Sequence, residues 1–243
     1  MTGVFCPIAV RDTAKAGSRG YDDAGYLNAE TLRATALGAG AFAFSRPEDL
    51  HVNPWHHSEF VFASTGRGKN FSTDDWGDVY IVSTKLEALT ANIRILYDGD
   101  DQNGDTDDQF AHPDYGLRSP DNVVWGYDGL VYVNEDPATQ LNKFGSVSGR
   151  DASIWQLDPR TGTASRIAEM DRTALYPTDA ANDPDEFWES SGILDVTGLF
   201  PTRPGETLLV SDVQAHGITG GGIGSKSNLV EGGQLFFLSQ HGR

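Results

Sequence analysis

Apolar and polar positions alternate along this chain in short bursts broken by turn residues, the pattern of half-buried strands rather than of amphipathic helices. The bursts fall at 59–65, 78–84, 92–97, 122–125, 129–135, 153–157, 165–170, 192–196, 207–212 and 234–239. Asp78-Val-Tyr-Ile-Val-Ser and Ser153-Ile-Trp-Gln-Leu-Asp carry the β-branched and aromatic residues that suit a pleated surface. Turn chemistry separates the bursts at Asp158-Pro-Arg-Thr-Gly, Tyr127-Asp-Gly and Arg203-Pro-Gly. No long helical period appears, and 21–44, with Thr31-Leu-Arg-Ala and Ala41-Phe-Ala-Phe, reads as room for a further strand or two.

The spacing of these bursts says more than any one of them. Pro47 and Pro120 lie 73 residues apart, and each precedes a strand pair, ending at Ser64-Thr65 and at Glu135-Asp136. Ser191, 71 residues further on, precedes a pair ending at Ser211-Asp212. A third strand follows each pair, near Asp78, Ser153 and Gln234, and the first two units add a fourth. A four-stranded antiparallel unit repeated about an axis is a β-propeller blade. The expected fold is therefore all-β: a β-propeller of about three four-stranded antiparallel blades, with a β-sandwich as the alternative. Residues 1–39 form a poorly defined N-terminal segment and 40–243 a partial propeller domain. Three blades leave apolar flanks uncovered, which calls for another propeller half or self-association.

Composition narrows the partners. The 243 residues carry a net charge of −17, which leaves nothing to neutralise nucleic-acid phosphates or to hold an anionic membrane surface. Hydrophobic residues at 38% and aromatics at 10% supply a core and exclude a disordered chain. No apolar run reaches the roughly 18 residues of a membrane span, and 1–17 lacks a signal-peptide layout. The single Cys6 has no internal disulfide partner.

The negative charge collects where the repeats match. In a propeller the innermost strands start near a central channel, and here those positions hold Glu48 and Asp49, then Asp121 and Asn122, then Glu189. The ends of the second strands hold Glu135 and Asp136, then Asp212, with Gln214 and His216 just beyond. Oxygen donors of this kind suit calcium, magnesium or high-valent iron; solvated turn acids are the competing reading. Arg46, beside Glu48 and Asp49, is either their ion-pair partner or a bidentate clamp for an oxyanion such as phosphate. A second acidic run at 98–108 has part of an EF-hand spacing but Thr106 where glycine belongs and His112 where glutamate belongs. It reads as a solvated loop or a loose calcium turn, with Asp98 at the strand end its best ligand candidate. His56 and His57 read as a surface turn, and the glycine run at 220–224 as a flexible one. No Gly-x-Ser-x-Gly elbow supports a serine hydrolase.

Phe44-Ser-Arg-Pro-Glu-Asp-Leu, Ser119-Pro-Asp-Asn-Val, Asp128-Gly-Leu-Val-Tyr-Val-Asn-Glu-Asp and Trp188-Glu-Ser-Ser-Gly resemble the PhoX-type alkaline phosphatase family, as do Gly149-Arg-Asp-Ala-Ser-Ile-Trp-Gln-Leu-Asp and Leu229-Val-Glu-Gly-Gly-Gln-Leu. The resemblance runs from about Gly40 to Ser239 and matches the later part of the family's domain. It implies part of a six-bladed propeller, export to the periplasm or beyond the cell, and iron with calcium at the channel mouth hydrolysing phosphate monoesters. It implies that Glu48 is a metal ligand, that Arg46 contacts phosphate, and that Asp121, Asn122 and Glu135 or Asp136 hold calcium. The family's iron-ligating cysteine has no match, since Cys6 lacks its context. Three readings stay open: a metal-dependent phosphatase or a fragment of one, a calcium-stabilised propeller remnant that binds without catalysis, and a lactonase-type propeller enzyme.

Overall fold

The computed structural model describes residues 1–67, 74–100, 116–137, 144–146, 148–171, 188–216, 225 and 232–241. The acidic run beyond residue 100, with His112, and the glycine run at 220–224 lie outside these residues. The chain divides into two compact units. Met1–Phe44 with Thr84–Asn92 form the first, and Ser45–Ser83 with Ile93–Arg243 form the second.

In the first unit, strand β1 (Thr2–Val4) pairs antiparallel with Thr90–Asn92. Where a further strand was expected, Ala29–Gly38 forms a helix, α1, and residues 41–44 have no regular structure. Local chemistry accounts for the difference. Asn28 caps the helix, its Oδ1 accepting the Thr31 N–H at 2.9 Å, and the alanines and leucines that follow are strong helix formers. None of the helix residues is buried, so propensity and capping carry it rather than an apolar face.

The second unit consists of antiparallel sheets. The strands, in chain order, are β2 (Pro47–Val52), β3 (Glu59–Ser64), β4 (Asp78–Lys85), β5 (Thr90–Asp98), β6 (Pro120–Trp125), β7 (Val131–Glu135), β8 (Ser153–Leu157), β9 (Ala164–Glu169), β10 (Trp188–Asp195), β11 (Glu206–Ala215) and β12 (Gly232–His241). Sequential strands are neighbours throughout: β2 to β5, then β6 to β9, then β10 to β12.

The middle sheet is buried on both sides, and its residues alternate between two cores. Val123, Trp125, Val133, Trp155 and Leu157 pack with Val61, Ala63, Val79 and Ile81 of the first sheet. Val124, Tyr132 and Ile154 point the other way and pack with Trp188, Ile193, Leu209 and Ala215 of the third. Odd and even positions of one strand thus serve opposite interfaces, which is why runs such as Val123-Val124-Trp125 and Val131-Tyr132-Val133 are apolar at consecutive positions.

The first strands of the three sheets, β2, β6 and β10, lie side by side and are tied by side-chain bonds to backbone. Asp49 Oδ2 accepts the Val123 N–H at 3.1 Å and His51 Nδ1 accepts the Trp125 N–H at 3.3 Å. Asn122, which matches Asp49 in the repeat, accepts the Gly192 N–H at 2.8 Å. Each of the three strands carries a register shift at this level, between Pro47 and Leu50, Pro120 and Val123, and Ser191 and Ile193. Such bulges unpair backbone N–H groups from their own sheet and free them for a neighbour.

A cavity in the middle sheet should cost far more than one at the surface. Leu157→Ala, at a fully buried position, is expected to lose about 2–5 kcal/mol of unfolding free energy, and Leu199→Ala, at an exposed one, no more than about 0.5 kcal/mol. Urea titration of both variants measures the contrast.

Candidate functional site

The site is built where β2 and β6 begin. Arg46, immediately before β2, adopts the left-handed conformation at φ 62, and Ser119, its counterpart before β6, does so at φ 44. Both precede proline, which ordinarily holds its neighbour extended, and a left-handed non-glycine residue costs on the order of 1 kcal/mol or more. The bend is held by matched hydrogen bonds. The Arg46 carbonyl accepts the Thr65 N–H at 2.9 Å, and the Ser119 carbonyl accepts the Asp136 N–H at 2.9 Å.

The Arg46 guanidinium lies between two carboxylates, with Nη2 3.2 Å from Glu48 Oε1 and 4.0 Å from Asp136 Oδ2. Its side chain remains about one-third exposed and that of Asp136 about one-tenth. Asp121 belongs to the same group. Burial, followed by the charges of Asp136 and Glu48, pushes its carboxyl up to about 7; Arg46 pulls it down and Asp49 adds to the rise. Two carboxylates thus flank the guanidinium, with Asp121 and Asp49 in the same charged group, a set of hard oxygen donors with excess negative charge that suits a multivalent cation. Among the described residues no three Asp, Glu, His or Cys side chains already converge as a metal cage.

The other expected site residues take different places. Glu135 is fully buried beside Arg118, which is also fully buried. Its Oε1 accepts the Arg118 N–H at 2.8 Å, and its Oε2 accepts the Ser153 N–H at 2.9 Å. The Arg118 guanidinium lies 3.6 Å from the centre of the Phe144 ring. Burial raises the Glu135 carboxyl, and Arg118 opposes the rise. This pair anchors the residue next to Asp136. Glu189 stands 3.5 Å from His216 Nε2 and opposite Gln214 on β11. Asp212 places Oδ1 where a Cβ on Gly192 would be, 2.6 Å away, and burial raises its carboxyl. Asn122 and Asp49 join neighbouring sheets as described above. Cys6 is exposed in the first unit, and His56 and His57 are exposed on the turn after β2.

Sequence reasoning passed over Arg118 and His51. Arg118 was legible in principle, because the Pro47 and Pro120 registers align Arg118-Ser-Pro with Ser45-Arg-Pro and so place a cation at the start of β6. The partner of that cation is 17 residues away, and spacing alone does not pair them.

Two outcomes are expected. Glu135→Ala leaves the Arg118 charge buried without its partner and should cost about 3–5 kcal/mol in chemical denaturation. In chelator, Asp121 adds a pH slope. Its folded value near 7 lies above the ordinary 3.8, so the stability it confers is full below about 4 and is lost as pH rises through 7. Calorimetric melting from pH 4 to 8 should show Tm falling with pH, and Asp121→Asn should flatten that fall.

Comparison with known proteins bears on the whole chain. Over 87 residues it is 33% identical to protocadherin gamma-A12 of Pan troglodytes, a stretch that covers 34% of this chain and 9% of that protein. Among solved structures it is similar to Pseudomonas fluorescens PhoX in complex with vanadate, a transition state analogue, with a TM-score of 0.56 at 17% identity. That match covers 93% of this chain and 38% of the Pseudomonas chain, so the fold is shared and the chain spans less than half of that protein. The family model for alkaline phosphatase PhoX matches residues 6–217, a stretch that contains Arg46, Glu48, Asp121 and Asp136, and the chain accordingly belongs to the alkaline phosphatase PhoX family.

Proposed function

We propose that the chain is a PhoX-like, metal-dependent phosphatase, or part of one, that hydrolyses phosphate monoesters at the starts of β2 and β6. The observation that carries this reading is the Arg46 guanidinium held between Glu48 and Asp136 beside an Asp121 whose carboxyl is pushed up to about 7. The three sheets are read as consecutive propeller blades, completed to a six-bladed ring by another half or a second copy. Location in the periplasm or outside the cell follows the same family reading.

Glu48, Asp121, Asp136 and Asp49 would hold calcium, and iron where the rest of the ligand set is supplied. When bound, such cations polarise a phosphoryl oxygen and offset transition-state charge. The remaining work falls to the protein. Arg46 offers two parallel N–H donors to the non-bridging oxygens of the phosphoryl group and orients it. Its left-handed backbone and the Glu48 contact fix the fork before substrate arrives, and Asp136 keeps the guanidinium aimed from the other side. The vanadate in the Pseudomonas protein supports a site of this kind, because vanadate presents oxygens to the same donors that a transferring phosphoryl group would.

A second reading, a calcium-binding scaffold without catalysis, is favoured by the Arg46 guanidinium already being engaged by Glu48 at 3.2 Å with Asp136 at 4.0 Å, as a structural ion pair would be. Hydrolysis of p-nitrophenyl phosphate at alkaline pH with calcium separates the two. Turnover is expected, and Arg46→Ala should lower kcat/KM by about 100- to 1,000-fold. Calcium-dependent melting with no turnover would establish the scaffold, and an Arg46→Ala enzyme as fast as the parent would remove Arg46 from the site.

A further inference from the structure

We propose that the cleft at the ends of β2 and β6 binds a neutral sugar, a pyranose ring stacked on the Trp55 indole with its hydroxyls on Glu59 and Arg94. The cleft encloses about 400 Å³ between the first and second sheets, and Asn53, Trp125 and Arg160 also line it. A volume of this size is at the small end of ligand sites. It lies away from the Arg46 group, because Arg46 precedes β2 and Trp55 follows it, and the six residues of β2 span about 20 Å.

Trp55 is the odd one among the five tryptophans. Trp76, Trp125, Trp155 and Trp188 are between 4% and 8% exposed, and Trp55 is 63% exposed. Tyr127, on the β6–β7 turn and also exposed, stands edge-on to it, with ring centres 6.1 Å apart and planes at 80°. Neither ring hangs on a loose turn. The buried Asn53 accepts the Trp55 N–H at 2.9 Å and the His56 N–H at 3.2 Å through Oδ1, and its Nδ2 donates to Glu59 Oε2 at 2.9 Å. Asp195 Oδ2 accepts the Tyr127 N–H at 2.8 Å. A single apolar residue on a surface means little, but two adjoining aromatic rings held by fixed turns beside a cleft are a preorganised recognition surface.

The polar groups set the class of ligand. The formal charges of the cleft cancel, with His56 counted neutral: Arg94 against Glu59, and Arg160 against Asp158, which holds it at 2.9 and 3.2 Å. An ionic ligand therefore meets no net counter-charge, and a wholly apolar one would strip water from Glu59 and Arg94 without replacing it. Glu59 accepts one hydrogen bond at each oxygen, from Ser83 Oγ and Asn53 Nδ2, and a carboxylate has lone pairs for more. Arg94 gives an N–H to the Pro159 carbonyl and has others to offer. A sugar hydroxyl both donates and accepts, so it suits a carboxylate and a guanidinium in one cleft, while the C–H face of the ring packs on an aromatic one.

Calorimetric titration of the full chain with glucose, galactose, N-acetylglucosamine and cellobiose tests this, with glucuronate and choline as charged probes. At least one neutral sugar should saturate with a Kd on the order of 1 mM and shift the emission of the exposed Trp55 to the blue. Trp55→Ala should weaken that binding at least about tenfold, while melting within about 2 °C of the parent because the residue is exposed. Trp55→Phe should retain most of the binding and Arg46→Ala all of it. The proposal is overturned if none of the four sugars saturates, if Trp55→Ala binds as the parent does, or if glucuronate or choline binds more tightly than every sugar. Loss of binding in Arg46→Ala would overturn it too, by moving the sugar to the Arg46 group.

Discussion

Burial of the middle sheet on both faces is the constraint that the second unit depends on. Because Val123, Val133 and Trp155 serve one interface while Val124, Tyr132 and Ile154 serve the other, β6 cannot slip by one residue without exchanging its two cores. That fixed register sets the start of β6 against the start of β2, and with it the position of Asp121 against Arg46. The side-chain bonds from Asp49 to Val123 and from Asn122 to Gly192 repeat the same tie at both junctions. Packing thus decides where the charges meet.

The charges then oppose the packing that gathers them. Asp121 is pushed up to about 7 chiefly by burial, with neighbouring carboxylates adding to it. A fold that holds acids this way without counter-charge surrenders stability as they ionise. Arg46 offsets part of the cost at one group and Arg118 neutralises Glu135 in the interior. What neither offsets is available to cations, and in this protein that deficit is the link between fold and proposed chemistry.

Much of the strand framework was legible because strand, turn and repeat signals agreed. Segments such as 153–157 carried β-branched and aromatic residues and ran into the turn at Asp158-Pro-Arg-Thr-Gly, and the structure places β8 on the same residues. The helix at Ala29–Gly38 was missed because it buries no face, so no apolar stripe marks it; its signals are Asn28 and helix-forming residues alone. β2 stood outside the apolar bursts because Pro-Glu-Asp and His51 break the alternation on a half-exposed strand. For the candidate site, the matched Pro47 and Pro120 positions pointed to Glu48 and Asp121 by spacing, while Arg46 was read from its place beside Glu48 and from the family resemblance. The pairing of Glu135 with Arg118 rests on a contact across the sheet that linear spacing does not encode.

The central claim is that cations and a phosphoryl group meet at Arg46, Glu48, Asp121 and Asp136. Crystals of the metal-loaded chain soaked in vanadate, with anomalous scattering collected for calcium and iron, test it most directly. The expected result is metal within ligand distance of Glu48 and Asp121, with vanadate oxygens at hydrogen-bond distance from the Arg46 guanidinium. Metal and vanadate bound elsewhere, with Arg46 still closed on Glu48 and Asp136, would contradict it.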